Sequence, residues 1–212
     1  ASLGFASQDI KSPVSIFGHT FLVFHNDETP EAASLTVEFT GEATDLSANI
    51  SALFTSVPGK YSLNYLSGKI RQYDYENRSI WLYRLNLDKN ELQKLKQYLL
   101  HSENTKFAYD FSQKNCAFYI AKAISQTNDT LAFKQAGLFV TPVSTLAWIR
   151  SEKIISSEKY LPSTQLKALQ AFEMLAEPDQ RIAIRHLSPL ANLPSPVTTK
   201  QEIGNALSAM IE

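Results

Sequence analysis

One cysteine, Cys116, is all that the 212 residues carry. That excludes an internal disulfide framework and any zinc site built on several cysteines. Lysine and arginine form no run, and 20 of them against 21 acidic residues leave a formal charge of −1. Nucleic-acid binding needs a basic face, so no nucleic-acid partner is expected. No apolar run approaches the roughly 20 residues that span a bilayer. Internal repeats and low-complexity blocks are also lacking. The first residue is Ala1 rather than Met, as in a chain trimmed of a leader or an anchoring segment.

What is present suits a folded domain. At 44% apolar and 19% charged residues the chain can bury a core, and its length fits one large domain with a helical appendage. The expected division is a main domain over residues 1–176 and a helical extension over 177–212. The run from Ile16 to His25 is apolar on both faces and reads as a buried strand, with Gly18 allowing close backbone approach. Ser34 to Thr40 alternates and reads as a second strand, antiparallel to the first. Residues 54–68, punctuated by Pro58-Gly59, read as a loop. Lys69 to Tyr75 and Ser79 to Leu85 read as a hairpin around Glu76-Asn77-Arg78.

Helices dominate the rest. Asp88 to Glu91 is a capping-box start, and Leu92, Leu95 and Leu99 follow at helical spacing to about His101. A helix runs from Cys116 to about Ser125, and another opens at Thr141-Pro142. Pro162 to Ala176 and Pro178 to Leu187 form a helical pair; a proline-bearing linker over Leu190 to Val197 leads to a last helix capped at Thr199. The fold class is α+β, a small antiparallel sheet followed mainly by helices.

Cys116 is either a buried, inert thiol or a nucleophile. Its position in a first helical turn, after Ser-Gln-Lys-Asn and beside Lys114, favours a thiolate through unpaired N–H groups and the helix dipole. His19 is either a satisfied core histidine or the base for that thiol. His25 reads as a rim residue, and His101 and His186 as helix-closing residues. Glu38 is either a solvated strand residue or the carboxylate that orients an imidazole. Asn115 is either a helix N-cap or a donor to a developing oxyanion. Asp110 is a further polar candidate near the thiol. Tyr61, Leu63 and Tyr65 put large apolar groups into the expected loop, as cover for a core edge or as a lipid-facing lip.

The run Ser12-Pro13-Val14-Ser15-Ile16-Phe17-Gly18-His19-Thr20-Phe21-Leu22 resembles the opening signature of the Lnb N-terminal periplasmic domain family. Further similar stretches follow in order: Val57 to Ser62, Tyr73 with Glu76-Asn77-Arg78, Trp81 to Leu87, Tyr109 to Phe111 with Asn115-Cys116, and Leu161-Pro162-Ser163. The resemblance spans roughly residues 9–170. It implies a circularly permuted, papain-like fold of the NlpC type, in which the histidine precedes the cysteine. It also implies a periplasmic, membrane-anchored thiol acyltransferase. In that reading Cys116, His19 and Glu38 are catalytic, although the family pattern carries an amide at the position of Glu38. The acyl donor would be a phospholipid, the acceptor the N-terminal amine of a lipoprotein, and the setting a membrane surface. No cofactor and no metal is required. A cysteine peptidase or amidase acting on cell-wall peptides, and a non-catalytic binding module, are the alternatives.

Overall fold

The computed structural model describes residues 1–7, 17–26, 28–42, 55–133 and 139–190, with backbone alone over 184–190. Chain order gives β1 (Ser2–Ala6), β2 (His19–Phe24), a 3-10 turn (Glu31–Ala33), β3 (Leu35–Gly41), β4 (Val57–Tyr65), α1 (Leu66–Tyr75) and β5 (Ile80–Leu85). Then come α2 (Lys89–Ser102), β6 (Phe107–Tyr109), α3 (Cys116–Ser125), α4 (Pro142–Ser151), β7 (Ile155–Leu161), α5 (Thr164–Glu173) and α6 (Glu177–Leu190). The class is α+β as expected, but the sheet is not small. Seven antiparallel strands run in the order β6-β4-β3-β2-β1-β5-β7, which puts β2 at the centre.

Alternation along the strands divides the interior into two layers. Leu3, Leu22, Val37, Phe39, Tyr61, Tyr83 and Leu85 point to one face and pack against α2, α3 and α4 through Leu95, Tyr119, Ile120, Ile124 and Ile149. Phe39 and Tyr119 stack at 3.8 Å between centroids. Ala6, Phe21, Val23, Ile80 and Leu82 point to the other face, where Leu66 and Tyr73 of α1 cover them. The helix α3 is buried along most of its length, as its apolar sequence requires.

Two local readings need correction. Residues expected to be a loop form β4, a nine-residue strand between β3 and β6. Gly59 belongs there for packing. A Cβ on it would lie 2.8 Å from the Phe39 ring and 2.9 Å from Tyr109 Cβ. Lys69 to Tyr75 is not half of a hairpin but most of α1. Leu66, Lys69 and Tyr73 are its buried positions, three and four residues apart, which is a helical period. The helix ends on Asn77 at φ 57°. Arg78 N–H donates to the Tyr73 carbonyl at 2.7 Å and Asn77 N–H to the Asp74 carbonyl at 2.9 Å, a complete Schellman closure.

The other helices start where their caps are written. Asp88 and Glu91 complete a capping box on α2, and Thr141 caps α4 with Pro142 at its first position. The strands β1, β6 and β7 lie in segments for which no strand was expected. Leu190, where the linker was expected to begin, closes α6; the rest of the expected linker and the last helix fall in residues 191–212, outside those described.

Candidate active site

The site grows from an irregularity at the centre of the sheet. β2 and β3 pair only from Phe21↔Glu38 to Phe24↔Leu35. Yet β2 continues beside β1 to Ala6↔His19, and β3 continues beside β4 to Gly41↔Gly59. The two central strands therefore part, and Thr20 and His19 border the notch. Gly18 makes the turn into it at φ 86°, and a Cβ there would lie 2.6 Å from the Ala6 carbonyl oxygen. Glycine alone tolerates both conditions.

The start of α3 meets this notch. Asn115 is the N-cap: its side-chain oxygen accepts from Phe118 N–H at 3.2 Å. Its amide nitrogen donates to the carbonyls of Phe111 at 2.9 Å and Val140 at 2.6 Å. Both amide hydrogens are thus spent on fixing the helix start. The donors left for an oxyanion are the first-turn backbone N–H groups of Cys116 and Ala117. Asp110 shapes the lead-in by accepting from Ser112 N–H and hydroxyl and from Gln113 N–H at 2.7–3.1 Å. Cys116 itself is buried and free.

His19 lies between the thiol and a carboxylate. Its Nε2 is 3.1 Å from Glu38 Oε2, which leaves Nδ1 for the Cys116 thiol, its other hydrogen-bond partner. Glu38 is buried rather than solvated, and its second oxygen, Oε1, is 2.6 Å from Lys69 Nζ. The ammonium also donates to Gln72 Oε1 at 3.1 Å. Lys69 is only 4% exposed, so its charge is neutralised by Glu38 and not by water. Tyr73 lines the site beneath these groups, with the His19 ring 6.5 Å away and the Arg78 guanidinium 4.6 Å from its centroid.

These contacts set the protonation states. Burial works against an imidazolium at His19, but the thiolate and carboxylate on its two sides raise it to about 9. Burial likewise opposes the Glu38 carboxylate, yet His19 and then Lys69 bring it down to about 2. For Cys116 burial is again the opposing force. The charge and hydrogen bond of His19, followed by the Thr20 N–H, outweigh it and move the thiol below its ordinary range. His19 thus stands between a thiol that it makes more acidic and a carboxylate that braces it.

Lys69 was not legible as a site residue, because its segment read as a strand. Once α1 is recognised, a lysine in line with Leu66 and Tyr73 on the buried stripe is the signal. The lipid-facing reading fails for Tyr61. It is buried in β4 opposite Phe39, and its hydroxyl donates to the Tyr119 carbonyl at 2.9 Å. Leu63 and Tyr65 share its face farther along and are 64% and 58% exposed. His25 is a rim residue tied to Ser2 Oγ at 2.7 Å, and His101 bonds the Gln97 carbonyl at 2.7 Å near the end of α2. His186 lies in α6, where side chains are outside those described.

Among the described residues, no group of three or more His, Cys, Asp or Glu side chains could hold a metal ion. Nor is any described helix long and apolar enough to cross a membrane. Comparison with curated proteins and with solved structures returns no match. The family model described as the Lnb N-terminal periplasmic domain matches residues 1–151, a span that holds His19, Glu38, Lys69, Asn115 and Cys116. With 151 of 212 residues matched, the chain belongs to the Lnb N-terminal periplasmic domain family and is a periplasmic protein of the cell envelope.

Proposed function

We propose that this chain is a thiol acyltransferase that moves an acyl chain from a phospholipid ester to an amine, the N-terminus of a lipoprotein. The observation that carries this reading is the Cys116–His19–Glu38 cluster at a helix start. Its order along the chain, histidine first and cysteine last, is that of a permuted papain-like enzyme. The Cys116 proton passes to His19, and the thiolate sulfur bonds to the ester carbonyl carbon. Negative charge moves to the carbonyl oxygen, which faces the first-turn N–H groups of α3. The ester C–O bond then breaks, His19 protonates the departing alcohol, and a thioester remains on Cys116. An amine attacks that thioester and the C–S bond breaks. The proton shed by the amine reaches the sulfur through His19, which restores the thiol.

The surroundings favour a lipid over a cell-wall peptide. Phe17 precedes His19 by two residues and contacts Phe111 with ring centroids 5.7 Å apart. Phe139, beside the Val140 carbonyl that anchors Asn115, and Val143 in α4 are exposed as well. Apolar groups on the elements flanking the thiol suit an acyl chain and exclude water from a thioester. The test is incubation with phospholipid vesicles and measurement of intact mass. A hydroxylamine-labile acyl adduct is expected on the native chain and not on Cys116→Ala. Cleavage of a muropeptide with no adduct overturns this reading in favour of an amidase.

A further inference from the structure

We infer that Thr20 is a positioning residue that acts on the Cys116 sulfur alongside His19. The inference rests on Cys116 being the nucleophile and adds a group that the mechanism above does not use. Thr20 is completely buried, and its hydroxyl has no oxygen or nitrogen partner and no hydrogen bond of full geometry. A buried hydroxyl left so is a cost to the fold and calls for a functional account. Thr20 stands one residue beyond the last β2–β3 pair, in the notch that β3 vacates. By strand alternation it shares a face with Leu22, the face on which α3 packs. His19, one residue earlier, points to the α1 face with Glu38.

Two consecutive residues of β2 therefore act on the sulfur. The Thr20 backbone N–H, which no β3 carbonyl takes, binds it directly, and the hydroxyl dipole lies next to it. The hydroxyl adds stabilisation that grows as the sulfur becomes anionic, since hydrogen bonds to charged groups exceed those to neutral ones.

The test uses the single cysteine, whose thiolate absorbance is followed against pH with Cys116→Ala subtracting the tyrosine signal. Thr20→Val removes the hydroxyl and keeps the shape. We expect its thiolate titration to move upward, leaving about tenfold less thiolate at a given pH. Its melting temperature, read at a pH below the thiol titration, should be unchanged, because the hydroxyl's contribution is to the anionic sulfur. Thr20→Ser should restore the native titration. Thr36→Val is the control, since Thr36 is also a buried hydroxyl without a partner but stands on β3 opposite Val23. It should leave the titration in place. Should Thr20→Val not fold, Thr20→Ala must show the same upward move. An unmoved titration in Thr20→Val or Thr20→Ala, or a move in Thr36→Val as large, overturns the inference about Thr20 alone. An ordinary free-thiol titration in the native chain overturns the nucleophile reading beneath it.

Discussion

Replacing Lys69 by Met removes one charge from a buried pair and leaves the other stranded. Glu38 keeps His19, but the ammonium 2.6 Å from its other oxygen is gone and only 12% of the Glu38 side chain is exposed. Breaking such a pair from one side costs about 3–5 kcal/mol, chiefly the desolvation of the charge left behind. For a domain of this size that corresponds to a fall of roughly 10 °C in Tm. Glu38→Gln should cost a comparable amount, because it strands Lys69 with only Gln72 as partner. The double variant carries no stranded charge, and its Gln can still accept a hydrogen bond from His19. It should therefore be more stable than the sum of the single losses by about 2 kcal/mol. Urea denaturation of the four proteins gives the coupling directly. Additivity within about half a kcal/mol would mean that Lys69 and Glu38 do not act as a unit, and the bracing of His19 argued above would fall.

Two further outcomes follow from the same geometry. Glu38 is held at about 2 against an ordinary 4.5, so its stabilisation is full above 4.5 and lost as pH falls toward about 2. His19 is raised from 6.5 to about 9, so its contribution is complete below 6.5 and lost as pH rises through about 9. Denaturation midpoints across pH should decline at both ends, and Glu38→Gln should weaken the acid decline; an identical acid decline in that variant refutes the assignment. Gly18→Ala should cost about 1–3 kcal/mol through its left-handed backbone and its clash with the Ala6 carbonyl. A loss under about half a kcal/mol would show that the turn into β2 adapts freely.

Helices α2, α3 and α4 were legible because their signals are local. Asp88 with Glu91, Asn115 before Cys116, and Thr141 with Ser144 each satisfy N–H groups within one turn, so neighbouring residues suffice to read them. The strands around them depend on distant partners. β7 is exposed along nearly all its length, so it has no alternation to read; pairing with β5 and the stacking of Tyr160 on Trp81 at 4.6 Å hold it. Pro58-Gly59 resembles a turn, yet the glycine is there to admit the Phe39 ring and the Tyr109 Cβ. In the candidate site, His19, Glu38 and Cys116 were visible as residue types with open roles, and the sheet brings them together. Lys69 was hidden by a mistaken period, and the role of Thr20 depends on where two strands cease to pair.

That parting of β2 from β3 also ties the acidity of the thiol to the folded state. His19 and Thr20, the groups that lower the Cys116 thiol, come from β2 and lie far from it along the unfolded chain. Before the sheet closes, Cys116 is an ordinary thiol, only a few per cent ionised at neutral pH and correspondingly slow to exchange or oxidise. Folding is thus the event that makes the thiol more acidic. A chain entering an oxidising periplasm carries its one cysteine in a passive form until the fold that protects it has formed.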